Sequence, residues 1–518
     1  MHKRSRPIAA ALAVAAIASV AGPAHAATPT DTKPLQDAVK VGTDTTGIRA
    51  HLKKWQQIAN QNDGNRSTGT RGHEQSADYV VSKLNATGYF NVTSQPFVAS
   101  VWSQLAQPTL SVTPAPSPAW VVDTDFALMS DSGSGAVAGA PISIIDFVEP
   151  TQQASTSNAG CEDADFPTSL AGRVAVIQRG TCDFGDKARR AQDRGALAVI
   201  IFNEGTIGDP ERNGLILGTV EDYGITIPVL ETTYAAGRYL VDHPGATVSL
   251  SAQTRTDRMP TRNVVASTKA GRTDRAVVVG AHLDSVPEGP GINDNGSGSG
   301  ADLEVALQMA KLGIKPVNQV RFIWFSGEEQ GLHGSDFYVS TLSKAQRSSI
   351  AAMLNFDMIA SPNYSQEIYD GDGSTFGVAG PNGSGTIETV FKSFFDKRSQ
   401  FTKPTAFDGR SDYDAFTAAG IPAGGLFTGA EDHKLQSELQ FWGGTVSDGL
   451  AGQYDPCYHS ACDTYPANVN TKVLDLMSDA VAHATLTLAQ TTSAVRGTDK
   501  ASSKATKPYD WKGDHLRR

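Results

Sequence analysis

The sequence predicts an α/β fold, in which a mixed, mostly parallel sheet carries helices on both faces and a smaller α/β or β-rich domain is inserted. Helical and strand segments alternate from residue 263 to about residue 490, the pattern expected for such a sheet. Three apolar strands there, AVVVGAH, RFIWFSGEE and AAMLNFD, each end in a residue that can bind a metal ion. A strand–helix–strand unit of different character lies between residues 108 and 258.

Length and composition exclude several classes of protein. With 518 residues the chain is long enough for two or three domains, and 40% hydrophobic with 19% charged residues is typical of globular proteins. The net charge of -10 gives no reason to expect a nucleic-acid partner. Beyond the N-terminus no apolar run reaches about 18 residues, so we expect no membrane span. We also expect a monomer.

The first 26 residues have the three parts of a secretory signal peptide. Basic residues stand at positions 3, 4 and 6, residues 8–20 are apolar, and the AHA at 24–26 is a small-x-small cleavage site. The apolar stretch is short for an uncleaved anchor, so we expect a secreted protein. Residues 27–45 are polar and are predicted to form a disordered leader or pro-segment.

The four cysteines are expected to form structural disulfides. They are Cys161, Cys182, Cys457 and Cys462, and a secreted protein matures in an oxidising compartment, where disulfides are the default. Three pairings are open, and proximity along the chain favours Cys161–Cys182 and Cys457–Cys462.

The larger domain comprises residues 46–107 and 259–490, and its first part is predicted to begin with two helices. Ile48, Leu52, Trp55 and Ile58 follow a helical spacing, and a second helix is expected over residues 76–86, before the strand NVTSQPFVA. The domain resumes at NVVASTK. Residues 491–518 are poor in large apolar side chains and are expected to form a disordered tail.

The inserted segment, residues 108–258, begins near prolines at positions 114, 116 and 118. RVAVIQ is predicted to be a strand, residues 186–194 a helix and ALAVIIFN a second strand, which together form a βαβ unit. On the run RGTCDFGDKARRAQDRGALAVIIFN, the segment resembles the protease-associated (PA) domain, which occurs as an insert in secreted and vacuolar peptidases. A fold alone assigns it no function.

A metal site is predicted beyond the ends of the three apolar strands, because ligands of open α/β sheets lie at the carboxyl ends of the strands. The candidate ligands are His282, Asp294, Glu329, Asp357 and His459. Each alone has an ordinary structural explanation, as a packed histidine, a flexible turn or a solvated acid. Together, two imidazoles and three carboxylates suffice for two zinc ions if one carboxylate bridges them. Asp294 is the expected bridge, since the glycines beside it let the backbone approach closely.

Residues next to these ligands complete a plausible catalytic set. Glu328 and Glu329 are adjacent on an extended segment and point in opposite directions, so that one can bind metal and the other can face the substrate. A carboxylate in that position can act as a general base. Asp284 can accept the free imidazole N–H of the strand-end histidine. Tyr458, in the loop that Cys457–Cys462 would close, can donate to a developing oxyanion.

Several motifs together resemble secreted bacterial two-zinc leucine aminopeptidases of metallopeptidase family twenty-eight, which have the zinc-dependent exopeptidase fold. The motifs are GAHLDSVPEGPGINDNGSGSG, GEEQGLHGSDFYV, LNFDMIASPN, GRSDY, GGLFTGA and DPCYHSACDT. The resemblance implies that His282 and Asp357 bind one zinc, that Glu329 and His459 bind the other, and that Asp294 bridges them. It also implies a cis peptide bond between Asp294 and Asn295.

The resemblance further implies the reaction. A zinc-bound hydroxide would attack the N-terminal peptide bond of a peptide or protein, with Glu328 as general base and Tyr458 polarising the carbonyl. Arg410 would orient the substrate, and Met358 and Phe427 would line a pocket suited to a large apolar first residue such as Leu. The family's calcium site is matched only in part, by Asp475 and Asp479 on the final helix.

Two alternatives stay open on this scaffold. Carboxypeptidases and single-zinc glutaminyl cyclases share it, but a carboxypeptidase needs a cationic pocket for the terminal carboxylate, and Arg410 is the one candidate. Receptor-like relatives keep the fold without catalysis. Such proteins normally lose metal ligands, whereas this chain keeps all five.

Overall fold

The computed structural model describes residues 31–152, 157–208, 212–216, 218–220, 223–447, 449–497 and 507–508. The predicted signal peptide lies outside these residues. The helices are α1 (Lys33–Ala38), α2 (Gly47–Asn60), α3 (Arg71–Asn85), α4 (Phe184–Asp193), α5 (Tyr234–Asp242), α6 (Gly296–Lys311), α7 (His333–Thr341), α8 (Lys344–Ser349), α9 (Ser384–Asp396), α10 (Tyr413–Ala418), α11 (Leu439–Trp442) and α12 (Thr471–Gln490).

The strands alternate with these helices along the chain. They are β1 (Phe90–Thr113), β2 (Phe126–Leu128), β3 (Gly135–Ile145), β4 (Val174–Gln178), β5 (Ala198–Phe202), β6 (Val229–Thr232), β7 (Thr247–Thr268), β8 (Arg272–His282), β9 (Asn318–Phe325), β10 (Ile350–Phe356), β11 (Glu367–Tyr369), β12 (Val378–Ala379), β13 (Lys403–Thr405), β14 (Ala423–Phe427) and β15 (Lys507–Pro508).

All strands except β12 and β15 belong to one sheet, in the order β13-β11-β14-β10-β8-β9-β7-β3-β4-β5-β6-β2, with β1 paired to β7. The run β14-β10-β8-β9 is parallel, and so is the run β3-β4-β5-β6. Antiparallel pairing occurs on both sides of β7 and at β11 and β2. The mixed, mostly parallel sheet predicted from the sequence is therefore confirmed.

Side chains that alternate along the central strands build a core on each face of the sheet, because successive residues of a strand point to opposite faces. Val277 and Val279 of β8 pack in the same core as residues of α2, α6 and α12. Val278, between them, packs in a second core with residues of α7 and α10. Helices thus cover both faces, as expected.

The long strands β1 and β7 link the two domains. They pair antiparallel along almost their whole length, from Phe90 opposite Thr268 to Thr113 opposite Thr247. Both strands therefore run across the boundaries predicted at residues 107–108 and 258–259. The prolines from position 114 mark the end of β1 rather than the start of a separate unit. Beyond them, β4, α4 and β5 form the predicted βαβ unit.

Parts of both segments that were predicted to be disordered are ordered. In the leader, α1 packs on α12, and Leu35 is completely buried. In the tail, Val495 is buried, and Arg496 donates to the carbonyl of Gly420 at 2.7 Å. The prediction of disorder was wrong for these residues because a few apolar side chains suffice when a preformed core receives them. Most of the tail lies outside the described residues.

Both predicted disulfides are present. Cys161 is bonded to Cys182 in the insert, and Cys457 is bonded to Cys462 in a short loop of the larger domain. Over the described part of the chain, no helix has both the length and the apolar character needed to cross a bilayer.

Candidate active site and metal centre

Three neighbouring strands deliver the predicted ligands to one edge of the sheet. His282 is the last residue of β8, Asp357 directly follows β10, and Glu328 and Glu329 follow β9 after a turn at Gly327, whose φ is 79°. The strands β10, β8 and β9 are parallel neighbours. Their carboxyl ends therefore meet at one place, and the convergence expected from the sequence is found in the structure.

Distances between the polar atoms show how tightly the groups cluster. His282 Nε2 lies 3.2 Å from an oxygen of Asp294, 3.2 Å from one of Asp357 and 3.9 Å from one of Glu328. His459 Nε2 lies 3.3 Å from the other oxygen of Asp294 and 3.0 Å from Glu329. The carboxylate of Asp294 thus faces one imidazole with each oxygen, as a bridging ligand would.

The loop that carries Asp294 is fixed to the end of β10. The peptide between Asp294 and Asn295 is cis. The Asn295 amide donates to the carbonyl of Phe356 at 2.9 Å, and its oxygen accepts from the backbone N–H of Gly298, which caps α6. Asp294, the predicted bridge, is therefore held against the strand that precedes Asp357.

Burial and charge act against each other on the ionisable groups of the cluster. Burial by itself would lower the pKa of His282, but Asp357, Glu328 and Asp294 raise it well above its usual value. Burial raises the pKa of Glu329 to about 7, although His459 opposes the shift. Burial also raises the pKa of Glu328 well above its usual value, and the charge of Asp357 adds to this. Several buried carboxylates that face two imidazoles need additional positive charge.

The imidazole and carboxylate donors of the cluster suit zinc. His282 belongs to two groups of three whose ligand atoms lie within 4.8 Å of one another: one adds Asp294 and Glu329, the other Glu328 and Asp357. Neither group coincides with a predicted ligand set, since the second contains the predicted base Glu328 and neither contains His459. Glu329 Oε1 is buried and has no hydrogen-bond partner among the described residues. Imidazole and carboxylate ligands suit zinc, and an unpaired carboxylate oxygen is the kind of atom that a cation would satisfy.

Tyr458 and Arg410 lie beside the predicted metal ligands. The ring of Tyr458 stacks on that of His459, with their centroids 3.8 Å apart. Arg410 Nη2 donates to the Tyr458 hydroxyl at 3.3 Å, and Arg410 Nη1 lies 2.7 Å from Glu431. The guanidinium therefore fixes the tyrosine hydroxyl at the rim of the cluster while an acid balances its charge.

The support of His282 differs from the prediction. His282 Nδ1 lies 3.2 Å from the backbone carbonyl of Asp284 but 3.8 Å from its carboxylate. That carboxylate instead accepts from the Thr68 hydroxyl at 2.9 Å and from the backbone N–H of Glu328 at 3.4 Å. Asp284 thus contacts the histidine chiefly through its main chain, because its side chain turns toward the loop after β9.

The proposed pocket walls lie next to each other at the ends of two paired strands. Met358 is buried with a φ of 49°, and Phe427, the last residue of β14, is half-buried. The backbone N–H of Thr428 donates to the Met358 carbonyl at 3.0 Å. Both residues therefore lie at the edge where Asp357 lies, Met358 buried and Phe427 partly exposed.

The calcium prediction receives no support from the geometry. Asp475 and Asp479 belong to none of the described groups of three or more acidic or imidazole side chains whose ligand atoms lie within 4.8 Å of one another. Burial and the charge of Asp475 raise the pKa of Asp479 to about 6. A group that was not predicted, Asp370 with Asp372 and Glu388, does have ligand atoms within 4.8 Å of one another. Backbone N–H groups of residues 374–376 already donate to Asp370.

Sequence reasoning missed several polar residues that hold the site. The Ser411 hydroxyl donates to Asp357 at 2.6 Å. Arg66 is completely buried and donates to the carbonyls of Pro290 and Gly291 at 2.8 and 2.6 Å, in the loop before Asp294. Ser411 lies inside the motif GRSDY but was not singled out there, and no local pattern marks Arg66, because the partners of both residues are distant in sequence.

The chain belongs to peptidase family M28. It matches the family described as "Peptidase family M28" over residues 263–485, and the PA domain over residues 146–240. An aminopeptidase of Pseudomonas aeruginosa is 44% identical over 87% of this chain and 82% of its own. Leucine aminopeptidase 2 of Trichophyton tonsurans is 36% identical over 92% and 89%. The family, the PA insert and the assignment as an enzyme are thus confirmed.

Two solved structures share the fold. The aminopeptidase from Aneurinibacillus sp. strain AM-1 is 22% identical, with a TM-score of 0.66 over 93% of this chain and 99% of that chain. A zinc aminopeptidase from Bacillus subtilis is also 22% identical, with a TM-score of 0.51 over 84% of this chain and 94% of that chain. At 22% identity, the likeness shows that these proteins and this chain share a fold.

Proposed function

We propose that the protein is a secreted aminopeptidase with two zinc ions, which removes large apolar residues such as Leu from the N-termini of peptides and proteins. One observation carries most of the proposal: Asp294 faces His282 with one carboxylate oxygen and His459 with the other, at 3.2 and 3.3 Å. This is the arrangement that two cations sharing one ligand require. Relatives named aminopeptidases, across bacteria and fungi, support the peptide-hydrolase chemistry.

The ligands divide into two sets around the bridge. His282 and Asp357 would hold one zinc, and Glu329 and His459 would hold the other. Zinc at such a site lowers the pKa of water and polarises a carbonyl group. The remaining steps depend on side chains of this chain.

Glu328 is the proposed general base. Its carboxylate lies beside the ligands without being needed by either set, and burial raises its pKa well above the usual value. A carboxylate with a raised pKa accepts a proton from water and then returns it to the leaving amine. Tyr458, which Arg410 holds at 3.3 Å, would donate to the oxygen of the substrate carbonyl as negative charge develops there.

Recognition of a free N-terminus accounts for exopeptidase action. Oxygens of Glu328 and Asp357 lie 3.9 and 3.2 Å from His282 Nε2, and ligand atoms of the three residues lie within 4.8 Å of one another. Their carboxylates would receive the substrate's α-ammonium group, and an internal peptide bond offers no such cation. Met358 and Phe427 would contact the first side chain, which favours a large apolar residue.

The pairing of Arg410 argues against the carboxypeptidase alternative. Glu431 lies 2.7 Å from the guanidinium, so a substrate carboxylate would meet a cation whose charge is already balanced. A receptor-like protein is disfavoured because all five proposed ligands are present and lie together.

The role of the PA insert can be tested directly. If the insert selects substrates by length, its removal should alter the ratio of hydrolysis rates on short and long peptides.

The decisive experiment compares free and blocked substrates on the same preparation. We expect hydrolysis of leucine-p-nitroanilide, loss of activity after chelation, and recovery when about two zinc ions per chain are returned. N-acetyl-leucine-p-nitroanilide should not be cleaved, since it lacks the ammonium group. Equal rates on the free and acetylated substrates would reject the aminopeptidase assignment, and full activity without metal would reject the zinc site.

A further inference from the structure

Two loops of the larger domain supply neighbouring parts of the metal cluster. One, residues 289–295, carries the bridging residue Asp294. The other, residues 455–463, carries Tyr458 and His459 and is closed by the Cys457–Cys462 disulfide. The loops touch: a Cβ built on Gly289 would lie 2.2 Å from the carbonyl oxygen of Ser460. Such close approach leaves each loop little freedom to move without the other.

Asp463 fastens the backbone of the bridging loop. One of its carboxylate oxygens accepts from the N–H of Asn293 at 2.8 Å, and the other accepts from the N–H of Asp294 at 3.0 Å. Its own carbonyl accepts from the N–H of Ile292. Asp463 is 2% exposed, so water does not compete for these bonds. Because each oxygen takes one of two successive amides, the carboxylate fixes the peptide plane that precedes the bridging side chain.

A second buried carboxylate completes the connection. Asp455, at the other end of the disulfide loop, accepts from the Asn293 side-chain amide at 2.7 Å. The Asn468 amide lies between the two acids and donates to Asp455 at 2.9 and 3.0 Å and to Asp463 at 2.9 Å. Both ends of the histidine-bearing loop are thus tied to the bridging loop by N–H groups that donate to the oxygens of these two carboxylates.

We propose that Asp463 is a positioning residue, which sets Asp294 and His459 at the separation that a shared metal ion needs. The proposal rests on the two-zinc function proposed above. Asp463 itself binds neither metal nor substrate in this scheme and acts through the backbone of Asp294. An isosteric amide could accept from only one of the two N–H groups and would turn its NH2 toward the other.

The test uses the full-length protein and measures zinc binding apart from catalysis. Zinc is titrated into the metal-free protein in competition with a chromophoric chelator, for the wild type and for Asp463→Asn. We expect the variant to bind zinc about 10- to 100-fold more weakly. At saturating zinc, its kcat should recover toward wild type, which a general structural defect would not explain. Glu438→Gln is the matched control, because Glu438 is also a buried carboxylate that accepts a backbone N–H, from Leu435 at 2.9 Å.

Each result decides the question. Asp463→Asn with wild-type zinc affinity would overturn the proposal, and so would an equal loss in Glu438→Gln. If Asp463→Asn does not fold, the Asn468→Ala variant is used in its place. This substitution removes the amide that holds both Asp455 and Asp463, so it should also weaken zinc binding. An unchanged zinc affinity of Asn468→Ala would overturn the proposal. A wild-type protein that binds fewer than two zinc ions would instead refute the two-zinc function.

Discussion

The carboxylate of Glu431 lies 2.7 Å from the guanidinium of Arg410, and the same guanidinium donates to the hydroxyl of Tyr458 at 3.3 Å. An arginine at the edge of a peptidase site is an obvious receptor for carboxylate groups. Here an acid that the sequence did not single out already occupies one side of it. The pair directs the arginine toward the tyrosine and away from anions in solution.

Removing the acid should therefore expose the arginine to anions. We expect Glu431→Gln to strengthen inhibition by free leucine, whose carboxylate would reach the unpaired guanidinium, while KM for leucine-p-nitroanilide changes little. The inhibition constant and KM are measured side by side. In an Arg410→Ala background the Glu431→Gln substitution should have no effect on inhibition; an effect of equal size there would show that the arginine is not involved.

Replacing the proposed general base, Glu328, with glutamine tests its role. Glu328→Gln keeps the shape of the side chain but removes the proton acceptor, so kcat should fall by about 10²- to 10⁴-fold. Zinc content, measured by elemental analysis, should stay near the wild-type value because neither ligand set includes this residue. An enzyme as active as wild type would point to another base or to a contaminating peptidase.

The tyrosine hydroxyl is proposed to act mainly in the transition state. Tyr458→Phe should lower kcat by about 10²-fold and leave KM almost unchanged, because the bond to the carbonyl oxygen strengthens as charge develops. Tyr465→Phe serves as the control, since that hydroxyl contacts Asp44 and Arg49 near the surface. A rise in KM with constant kcat would instead assign Tyr458 to ground-state binding.

The hydrogen bond from Ser411 to Asp357 should support the metal. Ser411→Ala removes a 2.6 Å bond to the carboxylate of the proposed ligand Asp357, and we expect zinc affinity to fall by about 10-fold. The control is Ser76→Ala, another fully buried serine, which donates to the carbonyl of Gly72 at 2.9 Å in α3. Competition titration with a chelator compares the two variants, and equal affinities would contradict the assigned role.

A buried lysine in the PA domain should make stability depend on pH. Burial lowers the pKa of Lys187 from 10.5 to about 7. Between these values the unfolded chain binds more protons than the folded chain, so stability should rise as pH increases from about 7 toward 10. Lys187→Met should remove this contribution. The midpoint of thermal unfolding, measured from pH 7 to pH 9, checks the prediction; a wild-type midpoint that falls as steeply as that of the variant would contradict it.

Local sequence patterns were sufficient for the elements that carry the site. The helix at Ile48, Leu52 and Trp55 and the strands that end at His282 and Asp357 follow from periodicity and from apolar runs, which report burial directly. The full lengths of strands β1 and β7 did not follow from local patterns. Their pairing continues past the predicted domain boundaries, because strand pairing depends on a partner more than 100 residues away rather than on local composition.

The sequence by itself determined the residue types of the proposed metal cluster and their order, since these are properties of the chain and its motifs, and it favoured one of three possible cysteine pairings. Only the tertiary structure decided which groups hold them in place. Glu431 against Arg410, Ser411 against Asp357 and Asp463 against the backbone of Asp294 are hydrogen bonds and ion pairs between distant segments. Such contacts depend on geometry after folding, and a carboxylate in a loop has the same local appearance whether it faces water or a buried amide.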